Sequence, residues 1–217
     1  MRIDRNSYGT LALVYLICAA ITLAVVLLVP QYWVRGIVIA AMAWVCVWQT
    51  AFFRVPNRRR TAGGRELTSV ADGKVVIVEK VFESEFLKRD CMQISVYMNF
   101  FDVHANFWPV DGEVVYYRYY PGEHFLAFKP KASEENEHSC VGMQLPGGQQ
   151  ILFKQLAGGF ARRIVCHAKE GLCVRGGEQC GIIKFGSRID MYLPLDAKIR
   201  VKVGEVVRAC ETVLAEL

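Results

Sequence analysis

The sequence predicts a mainly β protein: a compact β-sandwich or hybrid-barrel-like domain preceded by an N-terminal transmembrane helical hairpin. Two features of the 217-residue chain carry this prediction. The first 53 residues contain two long apolar runs, and the residues from 67 onward divide into short strand-forming runs bounded by Gly, Pro, Asp or Asn. A chain of this length can bury a core of ordinary size without disulfide bonds.

The two apolar runs are Leu11–Val29 and Gly36–Phe53. The first has 19 residues without a charge, which is enough to cross a hydrocarbon core of about 30 Å. A cleaved signal peptide is the competing interpretation, but the run is long for one. The second run either spans the bilayer or re-enters it, because Gln49 and Thr50 weaken its lower end. We therefore expect residues 1–53 to form a membrane anchor.

Basic residues flank these runs and set the expected topology. Residues 1–60 hold seven basic residues and one acidic residue, so the rest of the chain is nearly neutral although the whole carries a formal charge of +5. A nucleic-acid partner is therefore not expected. The positive-inside rule places both ends of the hairpin in the cytoplasm. The expected location is the cell membrane, with a basic linker at 54–66 and the β domain on the cytoplasmic side.

Residues 67–217 predict the β domain, since their strand-forming runs have four to ten residues each and no long amphipathic helix interrupts them. Predicted strands begin at Gly73, Met92, Gly112, Gln150, Ala161, Gly181, Arg188, Ala197 and Glu211. The charged stretch 129–139 lacks hydrophobic anchors and predicts a solvated loop, which makes exposure the expectation for His138.

The eight cysteines include no C-x-x-C pair, and the spacing of seven between Cys166, Cys173 and Cys180 matches no metal pattern. We expect reduced thiols that serve as small core residues in a cytosolic domain, and no metal site.

The predicted strand pattern is interrupted once by Gly186-Ser187. A bulge or tight turn is the simpler interpretation, because glycine inside a strand often marks one. The alternative is a bond that the protein cuts itself. A serine hydroxyl can attack the preceding carbonyl if a base removes its proton and donors stabilise the oxyanion. Glycine at 186 removes the Cβ that would crowd this attack.

A base for this reaction would come from the four histidines, His104, His124, His138 and His167. His167 follows a strand and is expected at the surface. His104 stands among aromatic residues, an environment that can hold an imidazole in one tautomer. Asp72 precedes a glycine, which is first a turn signal and second an orienting carboxylate.

Seven motifs in consistent order then resemble the short, membrane-anchored prokaryotic form of the phosphatidylserine decarboxylase family. They are "FFRVPNR", "SVADGKVV", "ISVYMNFFDVHANFWPVDGEV", "AFKPKASEENE", "LAGGFARRIVC", "GIIKFGSRIDMYLP" and "GEVVRACETVLA". The resemblance runs from about residue 51 to the end of the chain.

The resemblance implies that the chain cuts itself between Gly186 and Ser187 and converts Ser187 into a covalent pyruvoyl cofactor. The products would be a β chain of residues 1–186 and an α chain of residues 187–217, together an α/β heterodimer, with a higher oligomer left open. The pyruvoyl ketone would withdraw electrons from the amine of phosphatidylserine as carbon dioxide leaves, which gives phosphatidylethanolamine. Asp72 and His104 match family positions that act with the serine in self-cleavage, and His104 also matches a proton donor for decarboxylation.

Two positions depart from the longer members of the family. They carry a second histidine three residues after the first, where this chain has Phe107, so His104 does both jobs or the processing base differs. Arg188 replaces a small residue, which makes it a candidate partner for a substrate anion.

Three other functions remain open from sequence. The β domain could be a non-catalytic membrane-tethered binding module, or the substrate could be an ether-type phosphatidylserine. A decarboxylase of a free amino acid is disfavoured by the anchor.

Overall fold

The computed structural model describes residues 1–122, 136–158, 163–184 and 187–217. The chain divides into two compact units, Met1–Pro56 and Asn57–Leu217. Helices α1 (Tyr8–Leu28) and α2 (Tyr32–Phe52) belong to the first unit, as do strands β1 (Arg2–Ile3) and β2 (Arg54–Val55). The remaining strands are β3 (Glu66–Thr68), β4 (Gly73–Glu83), β5 (Arg89–Met98), β6 (Ala105–Phe107), β7 (Gly112–Tyr120), β8 (His138–Gln144), β9 (Gln150–Ala157), β10 (Arg163–Cys166), β11 (Cys173–Val174), β12 (Gln179–Lys184), β13 (Ser187–Leu193), β14 (Lys198–Ile199), β15 (Val206–Val207) and β16 (Val213–Glu216).

The first unit is an antiparallel helical pair closed by a short ladder between β1 and β2. Each helix has 21 residues, a length of about 31 Å. Pro30 separates them, since the residue before a proline is disfavoured in helical conformation. Both helices are long and apolar enough to cross a membrane. The second apolar run therefore forms one continuous helix of spanning length.

The second unit is built on an eight-stranded antiparallel sheet with the strand order β11-β7-β8-β9-β13-β5-β4-β15. Two three-stranded sheets accompany it, β10-β12-β6 and β14-β16-β3. The predicted combination of a mainly β domain with an apolar helical pair is confirmed.

Strand β13 is central to the large sheet, where it pairs with β5 on one side and β9 on the other. All seven of its residues are buried. Because side chains alternate between the faces of a strand, Ser187, Ile189, Met191 and Leu193 point to one face. That face packs the main apolar core, which includes Ile189, Met191 and Leu193. We call it the core face.

The sequence-based expectation for residues 129–139 is wrong in the part that the structure describes. His138 begins β8 and is 8% exposed, and the neighbouring Asn136, Glu137 and Ser139 are also buried. The His138 ring stacks on Tyr120 at a centroid distance of 4.8 Å. Charge and missing hydrophobic anchors suggested solvent, but cross-strand pairing with β7 and β9 buries this segment. The expectation of an exposed His167 is confirmed.

Candidate active site

Ser187 is the first residue of β13 and is completely buried. It lies directly opposite Met98 on β5 and Ala157 on β9. Its Oγ atom is buried and has no hydrogen-bond partner among the described residues. A buried hydroxyl without a partner costs free energy, so its retention needs a reason other than stability. The preceding Gly186, the other half of the predicted cleavage site, lies outside the described residues.

The core face around Ser187 is formed by both flanking strands. Met98, Ala157 and Ser187 share this face because directly opposed residues of antiparallel strands point the same way. Gln155 also lies on it, since it opposes Ile189 two residues further along β13. Ser187 is therefore the polar end of an otherwise apolar row on β13.

Strand β6 brings Asn106 to this face. Asn106 Oδ1 accepts a hydrogen bond of 2.7 Å from Gln155 Nε2, and Asn106 Nδ2 lies 4.0 Å from Met98 Sδ. The Asn106 side chain thus contacts both strands that flank β13. His104 is two residues before Asn106, so its side chain lies on the same side of this extended segment. Because Asn106 contacts Gln155 and Met98, we infer that His104 lies in the same region of the core as Ser187.

His104 is fully buried, and its contacts include two with backbone groups. Its carbonyl oxygen accepts a hydrogen bond of 3.3 Å from the Ile183 N–H group. Its Nδ1 atom lies 3.1 Å from the Asp102 carbonyl oxygen. A carbonyl can only accept, so this contact places the proton of the neutral ring on Nδ1. Nε2 then carries the lone pair, which is the arrangement a general base needs.

Asp72 is placed differently from the sequence-based expectation of direct partnership. Its Oδ2 accepts a hydrogen bond of 2.9 Å from Arg58 Nη2, and its Oδ1 accepts one from Arg58 Nη1 and one of 2.9 Å from the Ala209 N–H group. The hydrogen bonds with Asp72 raise the pKa of Arg58 above its ordinary value. Asp72 immediately precedes β4, which pairs with β5 through Lys74 and Tyr97. It therefore lies at the same end of the sheet as Ser187, about two strand spacings or 10 Å across the sheet.

Arg188 points to the face opposite Ser187 and pairs with Asp190. Its Nε and Nη2 atoms donate hydrogen bonds of 2.8 and 2.9 Å to the two carboxylate oxygens of Asp190. Both side chains are completely buried. The sequence suggested a substrate anion as the partner of Arg188, whereas the structure gives it a partner from its own strand.

A second polar cluster lies on that opposite face and was missed from the sequence. Cys140 Sγ and Lys154 Nζ each donate to Glu85 Oε2 at 3.1 Å, and the Tyr116 hydroxyl donates to Glu85 Oε1 at 2.9 Å. Burial opposes ionisation of Glu85, but these donors and the Lys154 charge lower its pKa overall. Burial is the main cause that raises the pKa of the Cys140 thiol.

This cluster also contains the group of described residues best suited to bind a metal ion. Ligand atoms of Glu85, His138 and Cys140 lie within 4.8 Å of one another. The Lys154 ammonium lies 3.1 Å from Glu85 and would compete with a cation for its carboxylate. The cysteine spacings gave no signal, because these ligands come from a turn and two positions of one strand.

Comparison with known proteins identifies the family to which this chain is similar. The family model described as phosphatidylserine decarboxylase matches residues 47–215. A phosphatidylserine decarboxylase proenzyme of Cytophaga hutchinsonii is 41% identical over 180 residues, covering 83% of this chain and 81% of the relative. The proenzyme of Ralstonia nicotianae is 46% identical, covering 76% and 77%. That of Paraburkholderia phytofirmans is 39% identical, covering 91% and 93%.

Proposed function

Because the chain belongs to the phosphatidylserine decarboxylase family, we propose that it prepares its own catalytic group by cutting the Gly186–Ser187 bond. The reaction of the family is the decarboxylation of phosphatidylserine, and the chain is a decarboxylase of this class. The relatives carry the name proenzyme, which supports self-cleavage here. The observation that carries the proposal is the fully buried Ser187 hydroxyl without a hydrogen-bond partner among the described residues.

The surroundings of Ser187 fit a covalent pyruvoyl group. Conversion of serine to pyruvoyl removes the hydroxyl, and here that change breaks no hydrogen bond to a described residue. The flanking Met98 and Ala157 are apolar and fully buried, so they exclude water from the group. When bound, the pyruvoyl ketone supplies an acceptor for the electrons released as carbon dioxide leaves a substrate amine.

In self-cleavage we assign the nucleophile to Ser187 Oγ and the general base to His104 Nε2. The Nδ1 contact with the Asp102 carbonyl oxygen favours the tautomer in which Nε2 can accept the serine proton. In the decarboxylation, the same Nε2 atom then donates a proton to the carbon that has lost carbon dioxide. Phe107 is buried at the position of the second family histidine, so His104 serves both steps in this proposal.

We propose that Asp72 is a positioning residue, which acts through the backbone that it holds. Its carboxylate, just before β4, accepts hydrogen bonds from Arg58 and from the Ala209 N–H group. Strand β4 pairs with β5, and β5 carries Met98 opposite Ser187. We therefore expect Asp72→Asn and Arg58→Gln to slow self-cleavage by similar factors, and the double variant to be little slower than either one. A rate loss for Asp72→Asn alone would point to direct chemistry by the carboxylate instead.

The two products would remain one particle, an α/β heterodimer of residues 1–186 and 187–217. Strand β13 of the smaller product pairs with β5 and β9, β15 pairs with β4, and β16 pairs with β3. Four ladders thus join the products after the covalent bond is lost.

We also propose that residues 1–53 anchor the enzyme in the membrane, that 54–66 form a linker and that 67–217 form the catalytic domain on the cytoplasmic side. The apolar helices and the basic residues at both ends of the hairpin support this topology. Anchoring would raise the effective concentration of a lipid substrate at the site.

The test compares wild type with Ser187→Ala, each purified as the full chain in detergent. Wild type should give two bands on a denaturing gel and release carbon dioxide from phosphatidylserine in mixed micelles. Ser187→Ala should remain one band and be inactive. An active Ser187→Ala variant would overturn the proposal. An ether-linked phosphatidylserine in the same assay tests the alternative substrate.

A further inference from the structure

A chain of three buried amide and hydroxyl groups crosses the core face from β8 to β6. The Ser139 hydroxyl donates a hydrogen bond of 2.8 Å to Gln155 Oε1, and Gln155 Nε2 donates one of 2.7 Å to Asn106 Oδ1. All three side chains are completely buried. A buried row of polar side chains lowers stability unless its hydrogen bonds are made. When they are made, they hold the side chains in a single arrangement.

In the structure, these hydrogen bonds orient the Asn106 amide. Its oxygen is used by Gln155, so its NH₂ group is directed away, toward Met98 Sδ at 4.0 Å. A thioether sulfur cannot donate and is a weak acceptor. Asn106 therefore holds oriented N–H donors that have no strong acceptor among the described residues.

The position of these donors is set by the strand register. Asn106 reaches from Gln155 on β9 to Met98 on β5, and β13 lies between those two strands. Met98 is directly opposite Ser187, whereas Gln155 is opposite Ile189. The Asn106 amide must therefore lie over the first residues of β13, on the core face to which Ser187 also points.

We propose that Asn106 Nδ2 is the catalytic hydrogen-bond donor to the oxygen of Ser187 in the elimination step of self-cleavage. The inference rests on the proposed function. Attack of Oγ on the carbonyl carbon of residue 186 forms an ester and breaks the peptide C–N bond, while His104 Nε2 takes the Oγ proton and passes it to the nitrogen of residue 187. A base then removes the Cα proton of residue 187, the Cβ–Oγ bond breaks, and Oγ leaves as a carboxylate oxygen of residue 186. Hydrolysis of the resulting dehydroalanine releases ammonia.

The elimination is the step that a donor at Oγ accelerates. Negative charge develops on this oxygen as the Cβ–Oγ bond breaks, and a fixed N–H group in a buried site stabilises such charge strongly. The same donor does not help the attack, because there Oγ must keep its lone pair available for the carbonyl carbon. Gln155 and Ser139 are positioning residues in this scheme, since they act only by orienting Asn106.

Gly181 leaves the space that this arrangement needs. It pairs with Asn106 across β12 and β6, and a Cβ atom at this position would lie 2.9 Å from Gln155 Nε2. A side chain at position 181 would displace the Gln155 amide that orients Asn106.

The test follows self-cleavage of the full chain in detergent, with and without neutral hydroxylamine, which splits an ester but not a peptide bond. Asn106→Leu removes the donor at similar volume, and Gln155→Met removes only the group that orients it. Gln93→Leu is the matched control, because it deletes a buried amide on the opposite face that donates 2.9 Å to Ser95 Oγ.

We expect Asn106→Leu to slow self-cleavage by about 100-fold and to accumulate the ester. Hydroxylamine should then cut the chain and expose an ordinary serine at residue 187 that Edman degradation can read. Gln155→Met should show the same pattern with a smaller rate loss, and Gln93→Leu should process like wild type.

The inference is overturned if Asn106→Leu processes at the wild-type rate, or if it stays uncut in hydroxylamine while its melting temperature matches that of Gln93→Leu. If Asn106→Leu fails to fold, Gln155→Met decides by the same criteria. If wild type itself is not cut before Ser187, the proposed function fails. If wild type is cut before Ser187, and Asn106→Leu and Gln155→Met are cut at the same rate, the proposed function stands and only the role of Asn106 is refuted.

Discussion

The pair formed by Arg188 and Asp190 gives a sharp test of the packing around β13. Its two hydrogen bonds measure 2.8 and 2.9 Å, and neither side chain is exposed to solvent. Asp190→Asn keeps the shape of the side chain but removes the carboxylate charge that pairs with the buried guanidinium. Breaking a buried pair in this way costs about 3–5 kcal/mol. For a chain of this size, that corresponds to a fall in melting temperature of roughly 6–20 °C.

The assay is thermal unfolding in detergent, followed by tryptophan fluorescence, in a Ser187→Ala background that keeps the chain uncut. The double variant Arg188→Met with Asp190→Leu replaces both charges by apolar groups and should recover most of the lost stability, since neither of these two charges is then buried. A cost below about 1 kcal/mol for Asp190→Asn, the range of exposed pairs, would refute the reasoning.

Three further predictions concern other parts of the molecule. The pKa of Glu85 is lowered in the folded protein, so its contribution to stability is present above the ordinary value of 4.5 and is lost as the pH falls through the folded value. The difference in melting temperature between wild type and Glu85→Gln should therefore be largest above pH 4.5 and shrink as the pH falls below it. Gly181→Ala would place a Cβ atom 2.2 Å from the Val165 carbonyl oxygen and should lower the stability by about 1–3 kcal/mol in the same melting assay. The control Gly63→Ala meets no atom within 4 Å and should leave the melting temperature unchanged. Equal melting temperatures for the two variants would contradict the close pairing of β10 and β12. Cys173 is the exposed cysteine of the second unit. A membrane-impermeant maleimide should therefore label it in inside-out vesicles and not in right-side-out vesicles. The reverse pattern would contradict the cytoplasmic topology.

Much of the fold follows from local patterns in the sequence. Alternating side chains predicted β4, β5, β7, β9 and β13, and long uncharged runs predicted the two helices. Strand β8 was missed because its first residues are polar, and their burial depends on pairing with strands that are distant in the sequence. Very short strands such as β11 have too few residues for a periodic signal.

The site was predictable only in part. Ser187 and His104 stand out by chemistry and by resemblance, and both are fully buried. The alignment of Asn106 with Ser187 could not be predicted, because it depends on the register of β13 between β5 and β9 and on the placement of β6 over them. The contact between Asp72 and Arg58 joins a linker residue to a strand end, and no spacing in the sequence indicates it.

The most direct measurement of the central proposal is the intact mass of the purified mature protein under denaturing conditions. Self-cleavage predicts two polypeptides, residues 1–186 and 187–217, of which the smaller is lighter by one ammonia than an unmodified peptide of that sequence and reacts with borohydride. A single polypeptide with the full mass of residues 1–217, or a smaller fragment that retains an ordinary N-terminal serine, would contradict the conversion of Ser187 into the catalytic group.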